Sequence, residues 1–171
     1  MFILSNKLTF KKLRTLTWTI FILYSIILVY VIIFKEGTAI NIVEFRARAM
    51  SHRSLWQRVV SVNYIPLKTT IYYLGGNPSV RIAIENLLGN TLAFCPLGFL
   101  LPMLLKRCNN YKSIFFISAG TSFLIEFIEE ATYLGSGDID DVILNVLGSL
   151  LGFAVYCLLK WLTKSKIRIA S

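Results

Sequence analysis

Residues Glu126 to Gly152 read EFIEEATYLGSGDIDDVILNVLGSLLG. This stretch holds six of the nine acidic residues of the chain, set between two long apolar runs. A carboxylate carried toward the core of a bilayer costs roughly 2.5–3.5 kcal/mol, so such residues usually face a bundle interior or a wet pocket. We therefore expect two membrane helices here, with a polar site between them.

The rest of the chain has the composition of a membrane protein. Hydrophobic residues make up 56% of it, and the mean hydropathy is +0.65. A helix needs about 20 mainly apolar residues to cross the bilayer. Four segments come close to that length, near Leu16–Phe34, Ile82–Leu105, Ile114–Leu134 and Val142–Leu162. We predict an all-α polytopic membrane protein, a bundle of about four transmembrane helices.

The second of these segments contains two prolines, Pro96 and Pro102. Proline frees a helix carbonyl, but neighbouring helices can satisfy that carbonyl inside a membrane. We therefore interpret the segment as one span, and a pair of shorter re-entrant pieces is the alternative.

Charge predicts the organisation of the chain around these spans. We expect a cytoplasmic N-terminus (1–15), a signal-anchor helix (16–34), a basic amphipathic loop (35–81), a three-helix core (82–162) and a cytoplasmic C-terminus (163–171). With the N-terminus inside, eleven of the 18 Lys and Arg residues face the cytoplasm and seven face outward. We expect a protein of the cell membrane with both termini in the cytoplasm.

The first loop carries a second amphipathic pattern. Apolar residues recur at roughly helical spacing and arginines lie between them, which is typical of an interfacial helix on anionic lipid. The apolar set is Ile42, Phe45, Ala49, Trp56 and Val59, and the basic set is Arg46, Arg48, Arg53 and Arg58. A solvated basic face with no particular ligand is the alternative.

Polar residues fall on one face of the third and fourth spans. At about 100° per residue, one stripe contains Ser118, Ser122, Glu126, Glu129 and Tyr133. The other contains Asp138, Asp141, Asn145, Gly148 and Gly152. We expect both stripes to face the interior of the bundle.

The ends of three spans should meet on one side of the membrane. The second span begins with an Asn pair, the third ends with a Glu cluster, and the fourth begins with Asp and Asn residues. In an antiparallel bundle these ends share one side, which faces outward if the N-terminus is cytoplasmic. The predicted ligand-binding pocket consists of Asn86, Asn90, Glu126, Glu129, Asp138, Asp141 and Asn145.

Some of these residues have a simpler structural interpretation. Gly148 and Gly152 have the small-xxx-small spacing of close helix packing, and we assign Pro96 and Gly98 to packing as well. Asp138 follows a glycine and could cap the fourth span, with Asp140 and Asp141 near the positive end of its dipole. Capping does not explain Glu126, which lies roughly 12 Å from the end of its span and needs a partner, a proton or water.

Several classes of function are disfavoured by composition. The chain has one histidine and three cysteines, so we expect no site built on several histidines and no disulfide framework. We expect no metal and no cofactor. The net charge of +9 is explained by membrane topology, and we expect no nucleic acid as a partner.

At these residues the chain resembles the VanZ-like family of small bacterial membrane proteins. Two blocks carry the resemblance: NLLGNTLAFCPLGFLLP from Asn86 to Pro102, and the spacing from Glu126 to Asp138, Asp141, Asn145 and Gly148. The loop NYIPLKT, residues 63–69, is similar to the family as well. Glu129 departs from the Gln common in the family, and the turn 135–137 lacks the Arg of many members.

The resemblance implies a cell-envelope role linked to resistance against teicoplanin and related glycopeptides, and it supplies no reaction. Our first hypothesis is a non-catalytic protein whose outward pocket engages a lipid or glycan headgroup. The expected partners are a membrane lipid, including an anionic one, and a glycopeptide antibiotic or cell-wall precursor.

One alternative is an enzyme acting on an envelope lipid, in which Glu126, Asp138 and Asp141 hold a divalent cation or serve as acid and base. Another is a small transporter or partner subunit, with Glu126 as a proton or cation site.

Overall fold

Helices make up most of the part of the chain that the structure describes. A computed structural model describes residues 2–34, 62–132 and 137–169. These residues form five α-helices: α1 (Phe2–Phe34), α2 (Lys68–Leu74), α3 (Val80–Leu104), α4 (Tyr111–Thr132) and α5 (Ile139–Ile169). A 3-10 turn, Lys106–Cys108, follows α3. The predicted all-α fold is confirmed, while the interfacial helix predicted over residues 42–59 lies outside the described residues.

Four of these helices have the length and composition of membrane spans. The apolar stretches are Lys12–Val31, Val80–Leu104, Tyr111–Glu130 and Ile139–Thr163. Large apolar side chains point away from the bundle, and Leu92, Phe116 and Phe123 are 62–71% exposed. Such a surface is compatible with lipid, where every backbone group is satisfied within the helices. The chain is a multi-pass membrane protein, as predicted.

The first and last spans extend beyond their predicted ends. α1 begins at Phe2 and α5 continues to Ile169, past the predicted bounds at Leu16 and Leu162. Both extensions contain lysines and an arginine, and these residues are good helix formers. The extensions therefore continue the spans as helix.

α3 and α5 cross in direct backbone contact. A Cβ atom built at Gly98 would lie 1.7 Å from the carbonyl oxygen of Ser149, and one at Gly148 would lie 1.9 Å from that of Thr91. A Cβ at Gly152 would lie 1.9 Å from the carbonyl oxygen of Cys95. Only glycine allows this approach, which is the way small residues associate membrane helices. The small-xxx-small pair thus lies at the crossing.

α3 remains one continuous helix through both prolines. It runs for 25 residues, so the second span is a single crossing and not two re-entrant pieces. Pro96 is half-buried, and side chains from two other helices bond to carbonyls just before it. The Tyr24 hydroxyl of α1 donates to the Ala93 carbonyl at 2.8 Å, and the Ser149 hydroxyl of α5 donates to that of Phe94 at 3.2 Å. Neighbouring helices therefore bond to the backbone one and two residues after Leu92, whose carbonyl Pro96 frees.

The connections determine which helix ends meet. α3 and α4 are joined across residues 105–110, where Asn110 caps α4 by accepting from the Ser113 N–H at 2.8 Å. Short connections make successive helices antiparallel. The start of α3, the end of α4 and the start of α5 therefore lie on one side. The end of α1 lies there too, because its Leu28 and Val31 line the same cavity as Asn86 of α3.

Candidate functional site

A cavity of about 470 Å³ opens at this side of the bundle. All seven residues of the predicted pocket line it: Asn86, Asn90, Glu126, Glu129, Asp138, Asp141 and Asn145. The rest of the lining comes from Leu28, Val31, Thr69, Tyr73, Glu85, Gly89, Ala93, Phe94 and Ile125. The structure thus brings the predicted residues together, and their role in binding stays a prediction.

Asp138 organises the start of α5. Its Oδ1 accepts from the Asp140 N–H at 2.9 Å, which is the geometry of a helix N-cap. The same carboxylate accepts from the Asn63 amide at 2.8 Å and from the Thr69 hydroxyl at 2.6 Å. The capping interpretation of Asp138 therefore describes part of its role, and the residue also holds the loop before α2.

That loop is joined to α5 by its backbone as well. Asn63 forms a parallel bridge with Asp138. Its N–H donates to the Gly137 carbonyl at 3.0 Å, and its carbonyl accepts from the Ile139 N–H at 3.0 Å. The segment before α2 is thus fixed beside the start of α5.

Asp140 binds the first turn of α2. Its side chain is 1% exposed, and its two oxygens accept from the backbone N–H groups of Leu67 and Thr70, the latter at 2.8 Å. Leu67 has a left-handed backbone with φ 66°. A carboxylate at a helix N-terminus satisfies N–H groups that have no partner within the helix. Asp140 therefore anchors α2, which places Thr69 and Tyr73 on the cavity wall.

The acids at the end of α4 contact the turn that leads to α5. Glu126 Oε2 accepts from the Asp138 N–H at 3.1 Å, and Glu130 Oε2 accepts from the Gly137 N–H at 3.2 Å. Glu126 and Glu129 are 8% and 6% exposed. Glu126 lies well inside its span and was expected to need a partner. The backbone N–H of Asp138 is one such partner.

The amides of the lining bond mainly to the protein itself. Asn90 Nδ2 donates to Asp141 Oδ1, and Asn86 Nδ2 donates to the Ile82 carbonyl at 3.2 Å. Asn145 Nδ2 donates to the Ser122 hydroxyl at 2.9 Å. These bonds link α3 to α5 and α5 to α4, so the lining is held in a defined arrangement.

One alternative was an enzyme in which Glu126, Asp138 and Asp141 hold a divalent cation. Within the described residues, no group of three or more His, Cys, Asp or Glu side chains is placed to hold a metal ion. Ser118 and Ser122 are fully buried, and the Ser118 hydroxyl donates to the carbonyl of Ile114 at 2.8 Å. Ser136 and Tyr133 lie outside the described residues.

The sequence missed parts of the cavity wall. Thr69 belongs to the loop whose similarity to the VanZ-like family was visible, so that similarity was a usable signal. Leu28, Val31 and Tyr73 gave no signal, because an apolar residue in a lipid-exposed helix looks the same on every face. Their position follows from the packing of α1 and α2 onto the core.

Comparison with known proteins places the chain among its relatives. No curated protein and no solved structure matches it. The model of the VanZ/LLP1 family matches residues 21–160, a range that includes the second and third apolar spans, most of the first and last, and every residue lining the cavity. Since this match covers well over half of the sequence, the chain belongs to the VanZ/LLP1 family.

Proposed function

We propose that this protein is a non-catalytic component of the cell envelope that reduces susceptibility to teicoplanin and related lipoglycopeptides. Its cavity engages the headgroup of an envelope lipid or glycan. The observation that carries the proposal is the lining, in which carboxyl and amide groups converge with apolar side chains at one edge of the bundle. A mostly preformed cavity with a few placed polar groups is the usual form of a small-molecule site.

The two kinds of lining residue occupy different elements. The carboxyl and amide groups come from α3, α4 and the start of α5, whereas α1 contributes Leu28 and Val31. Leu28 packs in the hydrophobic core with Phe94. Such an arrangement suits an amphiphile whose polar headgroup enters the cavity while its chain follows α1.

Charge supports an outward orientation of the cavity. The opposite side of the bundle carries Lys106, Arg107 and Lys112 between α3 and α4, and Lys160 near the end of α5. Lysine and arginine are enriched in short cytoplasmic loops. The cavity then faces the cell exterior, where glycopeptides act.

The test is susceptibility to teicoplanin and vancomycin in a sensitive host at matched membrane levels of each variant. Asp141→Asn keeps an oxygen that can accept from Asn90, and Asn145→Ala removes the amide at the cavity. We expect the unaltered protein to protect selectively against teicoplanin and both variants to lose that protection. Glu130→Gln is the matched control, because Glu130 does not line the cavity and Gln can still accept from Gly137. Full protection by both cavity variants would refute a role for the cavity.

A further inference from the structure

One polar atom of a residue that lines the cavity has no hydrogen-bond partner in the described part of the chain. Asn145 is 5% exposed and lines the cavity, and its Oδ1 is buried without a hydrogen-bond partner in the described part of the chain. Its Nδ2 is already bonded to Ser122. An unsatisfied buried acceptor costs about 1–3 kcal/mol, so it is retained where something else supplies the donor.

The chemistry of an amide narrows what that donor is. Rotating the Asn145 amide by half a turn exchanges its oxygen and nitrogen, so the unpartnered position is an acceptor in one orientation and a donor in the other. A hydroxyl group both donates and accepts, and it pairs with either orientation. An ammonium group only donates, and a phosphate oxygen only accepts. A hydroxyl is therefore the group that this position fits best.

The rest of the lining points the same way. Three side-chain donors of the lining already bond to protein acceptors. Asn90 donates to Asp141, Thr69 donates to Asp138, and Asn86 donates to the Ile82 carbonyl. Five carboxyl groups line the cavity, and none of the described lining residues is a lysine or an arginine. A phosphate would bring further negative charge against those carboxyl groups, whereas a set of hydroxyls can donate to them.

We propose that the cavity binds the sugar headgroup of a glycolipid, with one sugar hydroxyl bonded to Asn145 and the acyl chain lying along α1. The inference rests on the proposed function and names the ligand class of the same cavity. Several hydroxyls on one rigid ring match a lining whose acceptors come from three helices. The apolar residues Leu28, Val31 and Ile125 bound the remaining wall, where the first carbons of the chain leave the headgroup.

The experiment is native mass spectrometry of the full chain in a detergent without a sugar headgroup. The probes are monoglucosyl diacylglycerol, diacylglycerol with the same acyl chains, phosphatidylglycerol with the same acyl chains, and free glucose. We expect the glucosyl lipid to bind about tenfold or more tightly than the other two lipids, because its headgroup alone offers several hydroxyls on a rigid ring to the lining. Free glucose should not compete at millimolar concentration, because it lacks the chain.

Two variants locate the contact. Asn145→Ala should lose most of the preference for the glucosyl lipid over diacylglycerol. Ser118→Ala, which removes a fully buried hydroxyl from α4 that does not line the cavity, should keep it. A thermal unfolding curve for each variant verifies that it is folded. If Asn145→Ala does not fold, the comparison of the three lipids on the unaltered protein decides the ligand class.

Three results would overturn the inference. Equal binding of the three lipids would mean that the cavity does not recognise the headgroup. A preference for phosphatidylglycerol would mean that a phosphate is accepted. A sugar preference that survives in Asn145→Ala would mean that water satisfies this amide.

The susceptibility test separates this inference from the proposed function. Sugar-selective binding without protection against teicoplanin leaves the ligand class standing and refutes the resistance role. Protection that depends on Asp141, without sugar-selective binding, refutes the ligand class and leaves the resistance role standing.

Discussion

α3 and α5 contact each other in two regions, the glycine crossing and the cavity. The two regions use different kinds of contact. At the crossing, Gly98 and Gly148 place backbone against backbone. At the cavity, side chains make the contact, as when Asn90 donates to Asp141. Lipid offers no hydrophobic drive for helix association, so close packing and hydrogen bonds are the available means. The crossing therefore holds the two helices by backbone packing, whereas the cavity end joins them by side-chain hydrogen bonds among the polar groups of the lining.

Breaking the crossing should have the largest effect on stability. In Gly98→Ala the new Cβ would lie 1.7 Å from a backbone oxygen, which no rotamer change can relieve. We expect a loss of about 3 kcal/mol or more in the free energy of unfolding, at the upper end of overpacking effects. Membrane accumulation and thermal unfolding in detergent measure it.

The control for this change is Gly120→Ala on α4. A Cβ built at Gly120 meets no atom within 4 Å. Alanine in a helix is favoured over glycine by roughly 0.5–1 kcal/mol, so this variant should unfold at the same temperature or higher. Equal losses in the two variants would show that the crossing is not close-packed.

Two neighbouring aspartates test the polar end. The two oxygens of Asp140 accept from backbone N–H groups at the start of α2. In Asp140→Asn one of these oxygens becomes an NH₂ group, which faces an N–H and cannot accept from it. We expect it to lower the free energy of unfolding by about 1–3 kcal/mol, the cost of an unsatisfied buried donor. Asp141→Asn keeps an acceptor for Asn90, and we expect a smaller loss than in Asp140→Asn.

Limited proteolysis in detergent distinguishes this pair further. Cleavage between residues 62 and 80 should accelerate in Asp140→Asn, because α2 loses its anchor, and should stay unchanged in Asp141→Asn. Equal behaviour of the two variants would contradict a structural role for Asp140 and a separate role for Asp141.

The spans and the cavity could be predicted because both follow from local patterns. Length and hydropathy predicted the spans, and the helical period predicted which faces of α4 and α5 are polar. The alternating direction of successive spans predicted which helix ends meet. The role of Asp140 could not be predicted, because its partners Leu67 and Thr70 are some 70 residues away and contribute backbone N–H groups. The bridge between Asn63 and Asp138 is similarly remote in sequence. Backbone partners carry no side-chain signal, so only the folded structure reveals them.

The attachment of α1 should give the smallest effect and sharpen the comparison. Tyr24→Phe removes the hydrogen bond to the Ala93 carbonyl while keeping the ring that packs on the core. Hydrogen bonds between membrane helices average about 0.6 kcal/mol, so we expect a loss in the free energy of unfolding of that size. Tyr111→Phe is the control, because Tyr111 is 53% exposed and phenylalanine preserves its ring contact with Phe153.

A loss in Tyr24→Phe no larger than in Tyr111→Phe would mean that this hydrogen bond does not stabilise the bundle. The selectivity between glucosyl lipid and diacylglycerol should be unchanged in Tyr24→Phe, since the proposed headgroup contacts come from α3, α4 and α5. Affinity for both lipids should fall together, because α1 supplies Leu28 and Val31 to the wall along which we propose that the acyl chain lies. A change in selectivity would instead place α1 among the elements that recognise the headgroup. Recognition would then not be confined to the polar ends of α3, α4 and α5.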